Sequence, residues 1–213
     1  MNRKRGTFTA WGQAWQLHKS RRQKYRRLTP NGSWKFPVEA ICVLPHDGFL
    51  YCYEISDRVA QKGLIVARVS PSQIEDPTAY RFFTGHDWTP KIESAKVVLK
   101  EAYGQISVVW NPAQKCFLAA TSSDIFHPQE IQLRTSDSPC GPWSEPTRIA
   151  VPPRAGKTTN LVYCTFIHPE LSSADGKEIS LTFCRMLKGN WELSNPEMVR
   201  IHYAATNAAS GNR

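Results

Sequence analysis

The sequence predicts an all-β fold, a β-propeller of four-stranded blades, and three observations carry the prediction. Residues 103–147 pack three runs of alternating apolar residues (105–110, 116–121 and 130–135) into one stretch that ends in the turn Gly141-Pro142-Trp143-Ser144. Each run is short and rich in β-branched or aromatic side chains, as strands are. With the short strand that follows Trp143, they make four antiparallel strands, the content of one propeller blade. Similar units lie on both sides, with first strands starting near residues 38, 105 and 161, at intervals of 67 and 56. The 15 Pro and 12 Gly are spread along the chain beside 7 Trp, 7 Tyr and 9 Phe, a spacing that suits many short strands rather than long helices. A two-sheet sandwich of twelve strands is the alternative architecture.

Taken in order, residues 1–35 read as a basic arm, broken at Pro30-Asn31-Gly32-Ser33. The first blade (36–90) holds strands at 38–44 (VEAICVL), 49–55 (FLYCYEI), 63–69 (GLIVARV) and 80–83 (YRFF), with Trp88 after them; Asp47-Gly48 turns the first strand into the second. The second blade (103–151) is the stretch already described, closed by Asn111-Pro112 and by Ser136-Asp137-Ser138-Pro139. The third (158–204) holds strands at 161–167 (LVYCTFI), 178–184 (EISLTFC) and 198–203 (MVRIHY), turning at Asp175-Gly176. Residues 205–213 are small and polar and read as a loose tail.

Charge and cysteine usage narrow the function classes. Residues 1–27 carry nine Lys or Arg and no acid, and the rest of the chain carries 18 of each sign. The excess of +9 therefore belongs to the arm, which is compatible with nuclear addressing, nucleic-acid binding, organelle targeting or plain solvation. The neutral body speaks against nucleic acid as a partner. The arm lacks the apolar centre of a secretory signal, and no window approaches the roughly 18 apolar residues of a membrane span. The six cysteines (Cys42, Cys52, Cys116, Cys140, Cys164, Cys184) form no CxxC pair, which argues against zinc. Cys42 and Cys52 flank one predicted hairpin turn and Cys164 and Cys184 another, so thiols packed as small hydrophobes and cross-strand disulfides are both open.

The order GQISVVWNP, FLAATS, IQLRTSDSPCGPWSEP, YCTFIHPELS, GKEISLTF and NPEMVRI resembles the five-bladed propellers related to endo-D-arabinanases, long catalogued as a domain of unknown function. More distantly it is similar to the arabinanase and xylosidase propellers, which share the S-x-x-P-x-G-P-W turn. The match covers about residues 36–203 and corresponds to the C-terminal three blades. The resemblance implies a central cavity lined by the first strand of each blade, a glycoside-hydrolase-type site within it, no cofactor and no metal. Five blades of this size need roughly 300 residues. The chain thus fits an incomplete product, a degenerate relative, or a partial ring whose open blade edges favour self-association.

Glycoside hydrolysis requires one protonated and one ionised carboxylate. Glu39, in an otherwise apolar first strand, suits the acid because burial would raise its pKa. Glu170 is the second candidate, with His168 beside it at the end of a first strand. Trp110 and Asn111 end the second blade's first strand and offer a sugar an aromatic face and an amide; Asp124, Phe126 and His127 lie in a loop where substrate contacts are usual. Arg134 belongs to either face of its strand. Each has an ordinary structural reading as well: a strand-end ion pair, a turn, a core ring, a solvated loop. The function classes are therefore a glycoside-hydrolase-like propeller acting on or binding arabinan-type or related polysaccharide, an inactive propeller fragment that binds carbohydrate or protein, and a protein addressed by its basic arm to the nucleus or nucleic acid.

Overall fold

Three antiparallel sheets stand side by side, and the strand that opens each sheet runs next to the strand that opens the next. The structure is a computed structural model. It describes residues 40–100, 102–122, 130–151, 162–187 and 190–202, all of them in the compact unit Lys35–Arg213. Glu39, Asp124, Phe126 and His127 lie outside the described residues.

The first sheet runs in the order β1 (Cys42–His46), β2 (Phe49–Ser56), β3 (Gly63–Val69), β4 (Arg81–Phe83) and β5 (Trp88–Thr89). Asp47 and Gly48, between β1 and β2, have φ values of 45° and 76°. Two consecutive left-handed residues are what a two-residue hairpin needs, which is why Asp-Gly marks this turn in the sequence. The second sheet is β6 (Tyr103–Asn111), β7 (Cys116–Ser122), β8 (Glu130–Ser136) and β9 (Thr147–Ala150). The third is β10 (Val162–His168), β11 (Glu178–Leu187) and β12 (Asn190–His202). The blades are thus not uniformly four-stranded: the first carries an extra two-residue strand at Trp88–Thr89, and among the described residues the third has three. Its last strand is 13 residues long, and the predicted run at 198–203 is its far half.

Strand alternation decides what each face touches. On β7 every residue is buried: Phe117 and Ala119 pack toward the first sheet, while Cys116, Leu118 and Ala120 pack toward the third. A strand covered on both faces reads as a continuous apolar run, as CFLAA does. The first interface joins Tyr51, Tyr53, Leu64 and Val66 to Ile106, Val108 and Phe117. The second joins Leu118, Ile131 and Leu133 to Ile167, Ile179, Leu181 and Phe183. On the far side of the first sheet, Cys52, Ile65, Ala67 and Val69 are buried with Tyr80 and Phe82, packed by Val59, Ile92 and Ala95.

Polar groups stitch the opening strands together. Ile167 N–H donates to Ser107 Oγ at 3.0 Å, the Cys164 thiol to Gln105 Oε1 at 3.3 Å, and Val108 N–H to Cys42 Sγ at 3.3 Å. Ser122 Oγ lies 3.0 Å from Thr165 Oγ1. These bonds satisfy backbone and hydroxyl groups that the sheet ladders leave over.

Candidate functional site

Four sequence candidates sit at the C-terminal ends of β6 and β10, and alternation separates them. Trp110 turns toward the first sheet: its ring stacks edge-on against Phe117 at 4.9 Å and lies 5.8 Å from the His46 ring, with 39% of the residue exposed. Asn111, next along the strand, turns the opposite way and is 3% exposed. Its Nδ2 donates to the Gly176 carbonyl at 3.0 Å, and its Oδ1 accepts from Ala113 N–H at 2.9 Å and Gln114 N–H at 3.2 Å. The amide and the indole therefore leave the strand on opposite faces. Neighbouring residues of a strand point to opposite faces.

The same rule places His168. Ile167 takes the face toward the second sheet, so His168 lies on the other face of the third sheet. There Nε2 is 2.7 Å from Thr182 Oγ1 and Nδ1 is 2.8 Å from Glu170 Oε1. The Glu170 carboxyl is exposed, and its pKa is held below the usual carboxylate value by its own backbone N–H and then by His168. An acid catalyst needs the opposite shift.

Ser122 and Glu130, the strand ends that flank residues 123–129 in sequence, lie at the start of β6, where Tyr103 pairs with Ser122. Trp110 is seven residues further along β6, roughly 23 Å at 3.3 Å per residue. Glu39 precedes β1. The described polar groups at this end are structural: Arg185, 2% exposed, donates from Nε to Glu197 Oε1 at 2.8 Å and from Nη2 to Oε2 at 3.2 Å. Arg134 is buried on the face toward the first sheet, where Nη1 donates to the Ser144 carbonyl at 2.9 Å.

Around Trp110 the fold gathers groups that the sequence did not single out. His46, the last residue of β1, stacks edge-on against Phe117 at 4.8 Å, and its Nε2 lies 3.2 Å from the well-exposed Asp47 carboxylate. Tyr51 follows, 6.0 Å from the Trp88 ring. The Arg68 guanidinium is held between two rings, 4.5 Å from Phe49 and 4.1 Å from Trp88, a doubled cation–π contact. Burial pushes the Tyr51 hydroxyl above its usual range, against the opposing pull of its hydrogen bond to Arg68. The signal was present in part: Tyr51 and Arg68 are register partners across β2 and β3. Two concavities open at the same end of the second sheet. A small notch of about 150 Å³ lies against the third sheet, lined by Val109, Trp110, Asn111, Leu118 and Ile167. A broad groove of about 840 Å³ runs past Gln114, Asp137, Pro142 and Trp143. The groove falls within the usual volume range of ligand pockets and the notch below it. Among the described residues no group of three His, Cys, Asp or Glu is placed to hold a metal ion.

The fold and this site define an all-β propeller protein with an aromatic, mixed-charge surface at one end of its inner strands. The chain belongs to the family described as Domain of unknown function (DUF4185), whose model matches residues 7–188. No curated protein matches the sequence. Among solved structures, the chain is similar to a thermostable family-43 glycoside hydrolase (16% identity, TM-score 0.47, covering 75% of this chain and 46% of that one). It is similar too to the exo-β-1,3-galactanase of Phanerochaete chrysosporium, determined with β-1,3-galactotriose (12% identity, TM-score 0.44, 81% and 36%). A third is the exo-β-1,3-galactanase of Clostridium thermocellum (12% identity, TM-score 0.44, 75% and 33%). The chain spans between a third and a half of the length of these structures. The likeness is one of fold.

Proposed function

We propose that the protein is a glycoside-hydrolase-like propeller that binds arabinan-type or related neutral polysaccharide, and that binding rather than hydrolysis is its activity. The observation that carries this reading is the half-exposed Trp110 ring, backed by Phe117 and flanked by the His46–Asp47 pair. A sugar ring presents an apolar C–H face and an edge of hydroxyls. An aromatic plane beside an imidazole and a carboxylate matches both, as ligand sites combine apolar walls with a few oriented polar groups. A separate groove past Gln114, Asp137 and Trp143 lies at the same end of the second sheet.

The carboxylates favour binding over hydrolysis. Glu54 is bound by Arg58 at 2.7 Å, Glu130 by Arg148 at 2.8 Å, Glu170 by His168 at 2.8 Å and Glu197 by Arg185 at 2.8 Å. Each of these four already has a partner at hydrogen-bond distance, and the Glu170 carboxyl is held below the usual carboxylate value, the opposite of what a proton donor needs. Glu39, the acid that the sequence offers, is the carboxylate to test for hydrolysis. The test is paired: binding of arabinan, galactan and xylan oligosaccharides by calorimetry, and release of reducing ends by the wild type and by Glu39→Gln. Saturable binding without release supports the reading. Release that disappears in Glu39→Gln would replace it with a hydrolase.

A further inference from the structure

Two cysteine pairs flank hairpin connections in this chain, and register separates them. Cys42 lies in β1 and Cys52 in β2, where Val43 rather than Cys42 stands opposite Cys52. An offset of one residue sends two side chains to opposite faces of a regular sheet. Cys42 accordingly packs toward the second sheet, its sulfur accepting from Val108 N–H, while Cys52 is buried on the far face. The sheet stands between these two thiols. Cys164 and Cys184 start from the same offset, since Tyr163 and not Cys164 stands opposite Cys184. Here the strand is irregular. The register shifts between Tyr163 and Phe166, so that Cys164 and Thr165 together face Phe183, and Cys164 takes a φ of 53°. A bulge of this kind interrupts alternation and re-aims a side chain. Thr165 takes the inward place, fully buried with its hydroxyl 3.0 Å from Ser122 Oγ. Cys184 then lies close enough to Cys164 to act on its thiol by charge and by hydrogen bond. Both are free thiols and both are partly exposed.

We propose that Cys164 and Cys184 form a dithiol modification site, which a small-molecule disulfide oxidises to a bond across the β10–β11 bulge, and that Cys42 and Cys52 do not. The reaction is two thiol–disulfide exchanges. One cysteine loses its proton to solvent, and its thiolate attacks a sulfur of the small disulfide. The attacked S–S bond breaks, a mixed disulfide forms, and a small thiolate leaves and takes up a proton. The second cysteine then attacks the protein sulfur of that mixed disulfide and expels the other small thiol. Two protein thiols are oxidised, and one small disulfide is reduced to two thiols. Oxidation also removes the proton that Cys164 donates to Gln105 Oε1 at 3.3 Å. Burial first, and Cys184 second, push the Cys164 thiol up from 9.0. Exchange should therefore be slow at neutral pH and faster as the pH approaches that value, because the thiolate is the attacking form. The bond closes the whole β10–β11 connection, and a loop of that kind constrains the unfolded chain more than the folded one.

The test is incubation of the native, reduced full chain with excess glutathione disulfide at about pH 8.5, near the ordinary thiol pKa, followed by intact mass and peptide mapping. The expected product is lighter than the reduced chain by two hydrogens, and its map joins the peptides that carry Cys164 and Cys184. Its Tm should rise by on the order of 5–10 °C and return to the starting value after dithiothreitol. Cys164→Ser and Cys184→Ser should each hold one glutathione on the remaining cysteine of the pair, since the thiol that would displace it is gone. A wild type that stays fully reduced, or that gains glutathione without an internal bond, overturns the proposal. A bond that joins Cys42 to Cys52, or any other pair, overturns it as well. The wild-type map decides the question whether or not the two serine variants fold.

Discussion

Replacing Asn111 by Ala should unfold the protein more easily without touching carbohydrate binding directly. The side chain is 3% exposed and makes three hydrogen bonds, to Gly176, Ala113 and Gln114. It ties the β6–β7 turn to the β10–β11 loop of the neighbouring sheet. Each neutral bond contributes about 0.5–1.5 kcal/mol net, and a buried group left without a partner costs about 1–3 kcal/mol. The Gly176 carbonyl would be stranded inside the interface, while the two turn N–H groups lie near enough to solvent to recover water. The sum is a loss of about 2–4 kcal/mol, which for a chain of this size lowers Tm by on the order of 5–15 °C. Denaturant unfolding followed by tryptophan fluorescence reads the loss directly. Gly176→Ala should act at the same point, since a Cβ there would run into Asn111 Oδ1 and the residue has φ +66°. A loss below about 1 kcal/mol in Asn111→Ala, or unchanged stability with weakened sugar affinity, would refute the assignment of Asn111 to structure.

Other outcomes follow from the same reasoning. Glu197→Ala leaves the buried Arg185 guanidinium without its two-point partner; Glu197 is partly exposed, so the cost is about 2–3 kcal/mol, below the range for a fully buried pair, and Glu197→Gln should recover part of it. Leu118→Ala, at the centre of the interface between the second and third sheets, should cost about 2–5 kcal/mol by chemical denaturation. Burial pushes the Cys140 thiol up to about 12 and the Cys52 thiol up to about 11, from 9.0. Above pH 9 the unfolded chain therefore gives up these protons while the folded chain keeps them, and stability should fall between about pH 9 and pH 12. Cys140→Ala should flatten that decline, and labelling of native protein with iodoacetamide at pH 8 should leave Cys140 and Cys52 unmodified.

Much of the fold was legible because strands and hairpin turns are local. GLIVARV gave β3 with its bounds, and Asp47-Gly48 gave a turn whose two residues both take the left-handed conformation. The run at 116–121 was read as alternating, yet every residue of β7 is buried, because a sheet covers each of its faces. The strand count per sheet was less legible, because the two-residue strand at Trp88–Thr89 depends on a tertiary pairing with Phe82 and Phe83. The site was least legible. Trp110 and Asn111 look like one platform in sequence, yet alternation sends them to different faces, and His168 for the same reason turns to the outer face while Ile167 before it packs inward. Asp47 was read only as part of a turn, and His46 and Asp47 became site residues when β1 was placed beside the end of β6. Arg68 shows no special pattern in GLIVARV; the two rings that hold it come from β2 and β5.

The most direct test of the account is an equilibrium titration of the wild type and Trp110→Ala with arabinan oligosaccharides, read by calorimetry, with Tm measured on both. The account predicts saturable binding by the wild type and at least a tenfold loss of affinity in Trp110→Ala, with a fall in Tm from the lost packing on Phe117 that still leaves the variant folded at the assay temperature. Equal affinity in the two proteins, or no binding by the wild type to arabinan, galactan or xylan chains, would contradict it.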